Sequence, residues 1–227
     1  MNKILTFSYD DGVRQDVRLA ELFHKYGMKA TFNINSGLLG KEGSLVRQGV
    51  EVRHDKVSAS DIRYVYEGHE VASHARTHPH LPSLTEEEIV CEVEGDRLAL
   101  SELVGYEVRG FAYPCPSGHG YDERVADVLK NKTGVRYCRT VDGSYGFSVP
   151  DNFYLLKPTV HHGRWDELFR LGEEFLASKA DEKQIFYVWG HSYEFDIADT
   201  WGRFEEFLAM MAGQSDIAYL TNSEALL

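Results

Sequence analysis

The chain is a succession of short apolar runs rich in Val, Ile, Phe and Tyr, separated by stretches whose apolar residues recur every three to four positions. The runs are those of buried strands and the longer spacing is that of amphipathic helices, so their alternation predicts parallel strands joined by helices. Strands are expected at 4–9, 30–34, 70–73, 110–113, 135–140, 154–158, 185–189 and 217–220. A helix at 15–26 carries an apolar stripe of Val17, Ala20, Leu22 and Phe23 and stops at Gly27. A second, at 86–104, opens on Thr85 with Glu88 three positions on, the pattern of a capping box. Two more are expected at 165–178 and 204–211. Seven or eight strands in this order predict an α/β fold, a single-domain (β/α) barrel spanning 1–227. The stretch 37–60 is too long and polar for a simple connection and reads as a lid or substrate loop.

Composition narrows the function. At 227 residues, 43% hydrophobic and 26% charged, the chain is ordinary for a soluble domain, and no segment reaches the ~18 apolar residues that span a bilayer. A net charge of −12 repels phosphate backbones and anionic lipid. Nucleic acid and membrane surfaces are therefore poor partners, and a neutral or cationic substrate is expected; the oligomeric state is not legible. The N-terminus runs from Met1-Asn2-Lys3 straight into an apolar strand without a signal-peptide pattern. A cytoplasmic protein is expected, or a secreted one whose leader has been trimmed. Cys91, Cys115 and Cys138 are odd in number and widely spaced, which argues against a disulfide framework and predicts buried, inert thiols.

Three clusters of metal-ligand and acid/base residues follow expected strands, where parallel α/β barrels place their active sites. In Tyr9-Asp10-Asp11-Gly12, adjacent carboxylates can divide labour, one ligating a cation while the other takes a proton from water. In His74-Ala75-Arg76-Thr77-His78-Pro79-His80, two histidines four apart fall on one side if the chain makes a helical turn, although Thr77 and Pro79 favour a bent exit. Asp11, His74 and His78 together would leave coordination positions open, as catalytic sites do, with zinc the first choice and cobalt, nickel or manganese as other divalent options. The third cluster, Trp189-Gly190-His191-Ser192-Tyr193-Glu194, ends a strand on a histidine suited to proton donation.

These segments resemble the polysaccharide deacetylase family, or NodB homology domain, over most of the chain. The resemblance implies a deformed (β/α) barrel. It makes Asp10 a general base, Asp11, His74 and His78 metal ligands, and His191 a general acid. Gly68-His69-Glu70 and Pro79-His80-Leu81 flank the histidine pair as in the family. The family's third motif often reads Phe-Arg-Pro-Pro-Tyr-Gly; here it is Phe111-Ala112-Tyr113-Pro114-Cys115-Pro116-Ser117-Gly118, as in a Phe-Ala-Tyr-Pro branch, and the Asp-Trp motif is not evident. Arg139, at the end of the next expected strand, is the candidate to replace the arginine missing at Ala112. The same alignment makes the Cys115 backbone N–H an oxyanion donor.

Tyr113, Trp189, Tyr193 and Trp201 are candidates for an aromatic floor under a sugar ring. Glu194 and Asp196 are candidate substrate contacts. Either His161 or His162 is expected at the mouth, since adjacent strand residues point to opposite faces. His24 and His54 read as structural or surface groups. The implied activity is removal of an acetyl or other acyl group from an N-acetylated sugar or small acylated amine. Ester deacetylation, hydrolysis of small linear or cyclic amides, and non-catalytic carbohydrate binding are the rival readings.

Overall fold

All eight residues of strand β1 (Lys3–Asp10) are buried, as befits the central strand of a sheet covered on both faces. The computed structural model describes residues 1–115 and 120–227; Pro116, Ser117 and Gly118 of the third motif lie outside the described residues. After β1 come β2 (Thr31–Ile34), β3 (Ser44–Arg47), β4 (Val50–Arg53), β5 (Glu70–Ser73), β6 (Gly110–Ala112), β7 (Tyr137–Arg139), β8 (Val160–His161), β9 (Gln184–Gly190) and β10 (Ile217–Tyr219). The parallel sheet runs β7-β6-β5-β2-β1-β9-β8. β1 pairs with β10 through Lys3 to Leu5 and with β2 through Ser8 to Asp10, so neighbours diverge along its length and the sheet curls. This is the deformed (β/α) barrel expected.

Alternation along β1 sends Leu5, Phe7 and Tyr9 toward the helices. There Phe7 meets Phe23 of helix Asp16–Lys25 at 4.7 Å and Phe204 of helix Trp201–Met211 at 6.2 Å. Thr6, Ser8 and Asp10 turn to the other side, where buried polar groups pair with one another. Asn222 donates to Thr6 Oγ1 at 2.8 Å and Asn33 to Ser8 Oγ at 2.8 Å. These polar groups beneath the sheet are thus hydrogen-bonded to one another, as most buried polar groups are.

Two segments depart from the sequence reading. The stretch 154–158 is not a regular strand: Leu156 alone bridges to Arg139, and Pro158, having no N–H, interrupts pairing before the chain resumes as β8. The polar excursion at 37–60 contains the antiparallel hairpin β3–β4, closed by Gln48 and Gly49 at φ 54° and 78°. Two left-handed residues make the tight turn that suits the twist of a two-stranded ribbon. Helix Glu86–Val104 forms with both halves of its capping box, Glu88 N–H to Thr85 Oγ1 and Thr85 N–H to Glu88 Oε2. None of the helices among the described residues is long and apolar enough to cross a membrane.

Candidate active site

The C-terminal ends of β1, β5, β6, β7, β8 and β9 converge on a cavity of about 380 Å³ lined by Asp10, Asp11, His74, His78, Cys115 and His191, among others. The chain leaves β1 through Asp11 at φ 82° and Gly12 at φ 60°, which turns the two carboxylates in different directions. A Cβ on Gly12 would lie 2.9 Å from Ile34 Cγ2 as well as demanding a left-handed backbone. Gly12→Ala is therefore expected to lower stability by about 1–3 kcal/mol, read from the denaturant midpoint.

His74 and His78 do not meet on a helical turn. Ala75 (φ 59°) and His78 (φ 60°) both adopt left-handed backbone, and the chain doubles back before Pro79, which disfavours a right-handed helical residue ahead of it. Asn35 holds this loop by donating to the His74 and Ala75 carbonyls at 2.6 and 2.8 Å. The capped helix supports it from the other side. Asp96 accepts from Ser73 Oγ and the Ser36 N–H at 2.6 Å, and Glu92 accepts from the Thr77 N–H and hydroxyl.

The Nε2 atoms of His74 and His78 each lie 3.8 Å from Asp11 Oδ1, and the three ligand atoms sit within 4.8 Å of one another. His74 Nδ1–H donates to the Ala112 carbonyl at 2.8 Å, which leaves the Nε2 lone pair facing Asp11. Burial pushes His74 down to about 4 and lowers His78 as well, keeping both imidazoles neutral, the form that ligates a cation. Burial alone would raise Asp11. Lys56, the hydrogen bond from His54, His191 and His74 instead hold it well below the usual carboxylate range. One anionic oxygen donor and two neutral nitrogens fit a divalent transition metal.

Two of those partners escape a reading of the sequence. His54 Nε2 lies 3.0 Å from Asp11 Oδ2, and Lys56 Nζ donates to the Asp11 carbonyl at 2.7 Å. Both come from the segment that follows β4, so His54 is neither a free surface group nor a remote structural one. Their only sequence signal is the excursion itself.

Asp10 is enclosed. Arg139, fully buried, donates from Nη2 to both Asp10 oxygens, and Asn33 Nδ2 donates to Oδ1 at 2.8 Å. In the register of β6 and β7, Ala112 is the direct neighbour of Arg139. A guanidinium absent from one strand thus enters from the adjacent position on the next. It also lies 4.6 Å over the Trp189 ring, a cation–π contact. Desolvation raises the Asp10 pKa, but Arg139, His74 and His191 outweigh it and keep the carboxylate ionised below its ordinary value.

His191 faces Glu194, with Nδ1 and Oε1 3.3 Å apart. Burial would lower its pKa, yet Glu194, with Asp11 and Asp10 beyond, raises it to about 9. Glu194 in turn receives His161 Nε2 at 3.1 Å and His162 Nε2 at 3.0 Å. The adjacent histidines both point to this carboxylate because the chain turns as β8 ends, so strand alternation no longer separates them. His161 reaches the catalytic cavity; His162 is buried behind it, with Nδ1 3.1 Å from the Tyr9 hydroxyl, and is not among the residues that line that cavity.

Tyr113, Trp189 and Tyr193 also line the cavity. Trp201 does not: it is buried against Phe195, and its indole N–H donates to Asp196, which also accepts from Gln15. Neither is a group of the catalytic cavity. Cys91 is exposed and Cys115 half-buried, against the expectation of three buried thiols; only Cys138 is buried. Cys91 occupies the solvent side of helix Glu86–Val104, which explains its exposure.

The sequence model of the polysaccharide deacetylase family matches residues 2–138. No curated protein matches the chain. A family 4 carbohydrate esterase from Streptomyces lividans, solved with acetate, aligns over 92% of this chain and 88% of its own, with a TM-score of 0.56 at 15% identity. A pseudoenzyme of the same esterase family from Bacillus anthracis aligns over 100% of this chain and 66% of its own (TM-score 0.54, 17% identity). A polysaccharide deacetylase from Bacillus cereus aligns over 66% of this chain (TM-score 0.52, 20% identity), which spans 44% of the Bacillus protein's length.

Proposed function

This chain belongs to the polysaccharide deacetylase family, and from that premise we propose that it is a metal-dependent hydrolase removing acetyl groups from N-acetylated amino sugars or oligosaccharides. The observation that carries this reading is that one cavity holds a three-ligand cation site, a carboxylate kept ionised by a buried arginine, and a histidine kept protonated by a half-buried glutamate. Members of the family generally use a divalent metal. Asp11, His74 and His78 would hold it, zinc in first place, with cobalt, nickel or manganese as substitutes. When bound, the cation polarises the acyl carbonyl and makes water a better nucleophile.

The chain's own groups divide the remaining work. Asp10 accepts a proton as the water oxygen adds to the acyl carbon, and Arg139 and Asn33 keep its two oxygens aimed. The Cys115 backbone N–H donates to the developing oxyanion, a contribution of about 3 kcal/mol for such a donor. His191 protonates the nitrogen as the C–N bond breaks, releasing acetate and a free amine. Trp189, the least buried of the three aromatic residues in the lining, offers the wall against which a sugar ring can rest, and Tyr113 and Tyr193 pack behind the surface. Glu194 serves the site through His191, whose protonated form it favours.

Metal removal gives the direct test. Chelated protein should release acetate from chitooligosaccharides at least about 100-fold more slowly than the native enzyme, and reloading with zinc should restore the rate. Acetylated xylan and small amides assayed beside it separate amide from ester preference. Sugar binding without acetate release under any of the four metals would place this chain with the non-catalytic relatives instead.

A further inference from the structure

A second cavity, of about 430 Å³, opens beside the catalytic one and shares Arg47, His161 and Glu194 with it. Arg47 and Gln48 come from the tip of the β3–β4 hairpin; Arg164 and Trp165 come from the segment after β8. Among the described residues neither arginine has a carboxylate within ion-pair distance, although the chain carries 36 acidic side chains against 24 basic ones. The one carboxylate in the lining, Glu194, is already held by His161, His162 and His191. The lining thus brings two guanidinium charges against one carboxylate that already has histidine partners.

We propose that this second cavity is a substrate subsite for an acidic substituent, a carboxylate or phosphate, on the unit that bears or adjoins the acylated amine. The inference rests on the deacetylase reading above and names the substrate class that site would prefer. Three features favour it. Two guanidinium forks match the planar, multidentate geometry of carboxylate and phosphate oxygens. Half-buried Trp165, already contacted by Arg203 at 5.1 Å and by a stacked His162, adds an aromatic edge to the lining against which the ring that carries the anion can pack. Arg47 borders both cavities, so a substrate with its acyl group at the metal ligands can reach the arginines without leaving the cleft. The net charge of −12 predicts a neutral or cationic substrate, but a ligand inside a cleft responds to the charges lining it more than to those a Debye length away, about 8–10 Å in ordinary salt.

The test compares N-acetylglucosamine, its 6-phosphate and N-acetylmuramic acid as neutral, phosphate and carboxylate probes on zinc-loaded enzyme. Both charged probes should show a kcat/KM at least about tenfold above the neutral one, equivalent to roughly 1.4 kcal/mol, and this preference should shrink as salt rises. Arg47→Ala/Arg164→Ala should abolish the preference, while Arg47→Lys/Arg164→Lys should restore part of it. A preference confined to one charged probe identifies which anion the forks select and still supports the subsite. Equal rates on all three probes, or an equal loss on all three in the double variant, would overturn it. Calorimetric binding of the same probes keeps the result independent of turnover: charge-selective binding without acetate release would refute the deacetylase reading and leave the subsite standing.

Discussion

Asp10→Asn is expected to slow acetate release by about 10²–10⁴-fold, the usual contribution of a general base, with zinc content unchanged. The asparagine keeps the shape of the carboxylate and cannot accept the proton. Metal content separates this loss from damage to Asp11, one residue away. Arg139→Ala acts on the same pair from the other side. It leaves Asp10 buried without its cation, in a position where the pair is essentially inaccessible to water. Breaking such a pair typically costs about 3–5 kcal/mol of stability, so the variant should melt earlier as well as turn over more slowly. The pH response gives the mechanism a separate readout. Because Arg139 holds the Asp10 pKa down, its native contribution to stability is present above the ordinary carboxylate range and lost as acid protonates Asp10. Without Arg139 the acid limb of the rate should move to higher pH. Full turnover in Arg139→Ala, with an unmoved acid limb, would remove the arginine from the mechanism.

The pair also shows what kind of information the sequence holds. Arg139 is legible because strand ends can be counted: β6 and β7 are adjacent and parallel, so a residue ending one lies beside a residue ending the other. The Asp10-Asp11 and His74–His78 segments are legible as residue types at strand exits, and the capped helix by its periodicity. The backbone that joins the histidines is not, because left-handed Ala75 and His78 are stabilised by Asn35 from another strand exit. His54 and Lys56 reach Asp11 across 43 and 45 residues, through a hairpin whose fold is set by a turn rather than by apolar spacing. Asp96 is hidden for the opposite reason. It sits inside a well-predicted helix, but on the buried face, where sequence periodicity anticipates an apolar residue; burial raises its pKa to about 6, and its hydroxyl and amide donors oppose that rise. Local patterns therefore locate the strand exits, whereas the groups that tune the site arrive through tertiary contacts.

Replacing His191 should divide the two classes of acyl substrate. His191→Ala is expected to reduce amide cleavage by about 10²–10⁴-fold and ester cleavage by much less, because an alkoxide can depart with less help from a proton than an amine can. The comparison is made on one zinc-loaded preparation with chitooligosaccharide and acetylated xylan. Glu194→Gln tests how the acid is kept charged. The folded-state pKa of His191 is raised from an ordinary 6.5 to about 9, mainly by Glu194 acting against burial. The stability gained from that charge is fully present below 6.5 and is lost as pH rises through about 9. The wild-type rate should accordingly fall on an alkaline limb near 9, and Glu194→Gln should shift that limb to lower pH while retaining amide cleavage on its acid side. The neutral amide can still accept hydrogen bonds from His161 and His162, so loss of the carboxylate's shape is not the cause of the shift. An alkaline limb that stays in place would show that the protonated state of His191 does not depend on Glu194, and an equal loss of ester and amide cleavage in His191→Ala would deny it the role of leaving-group acid.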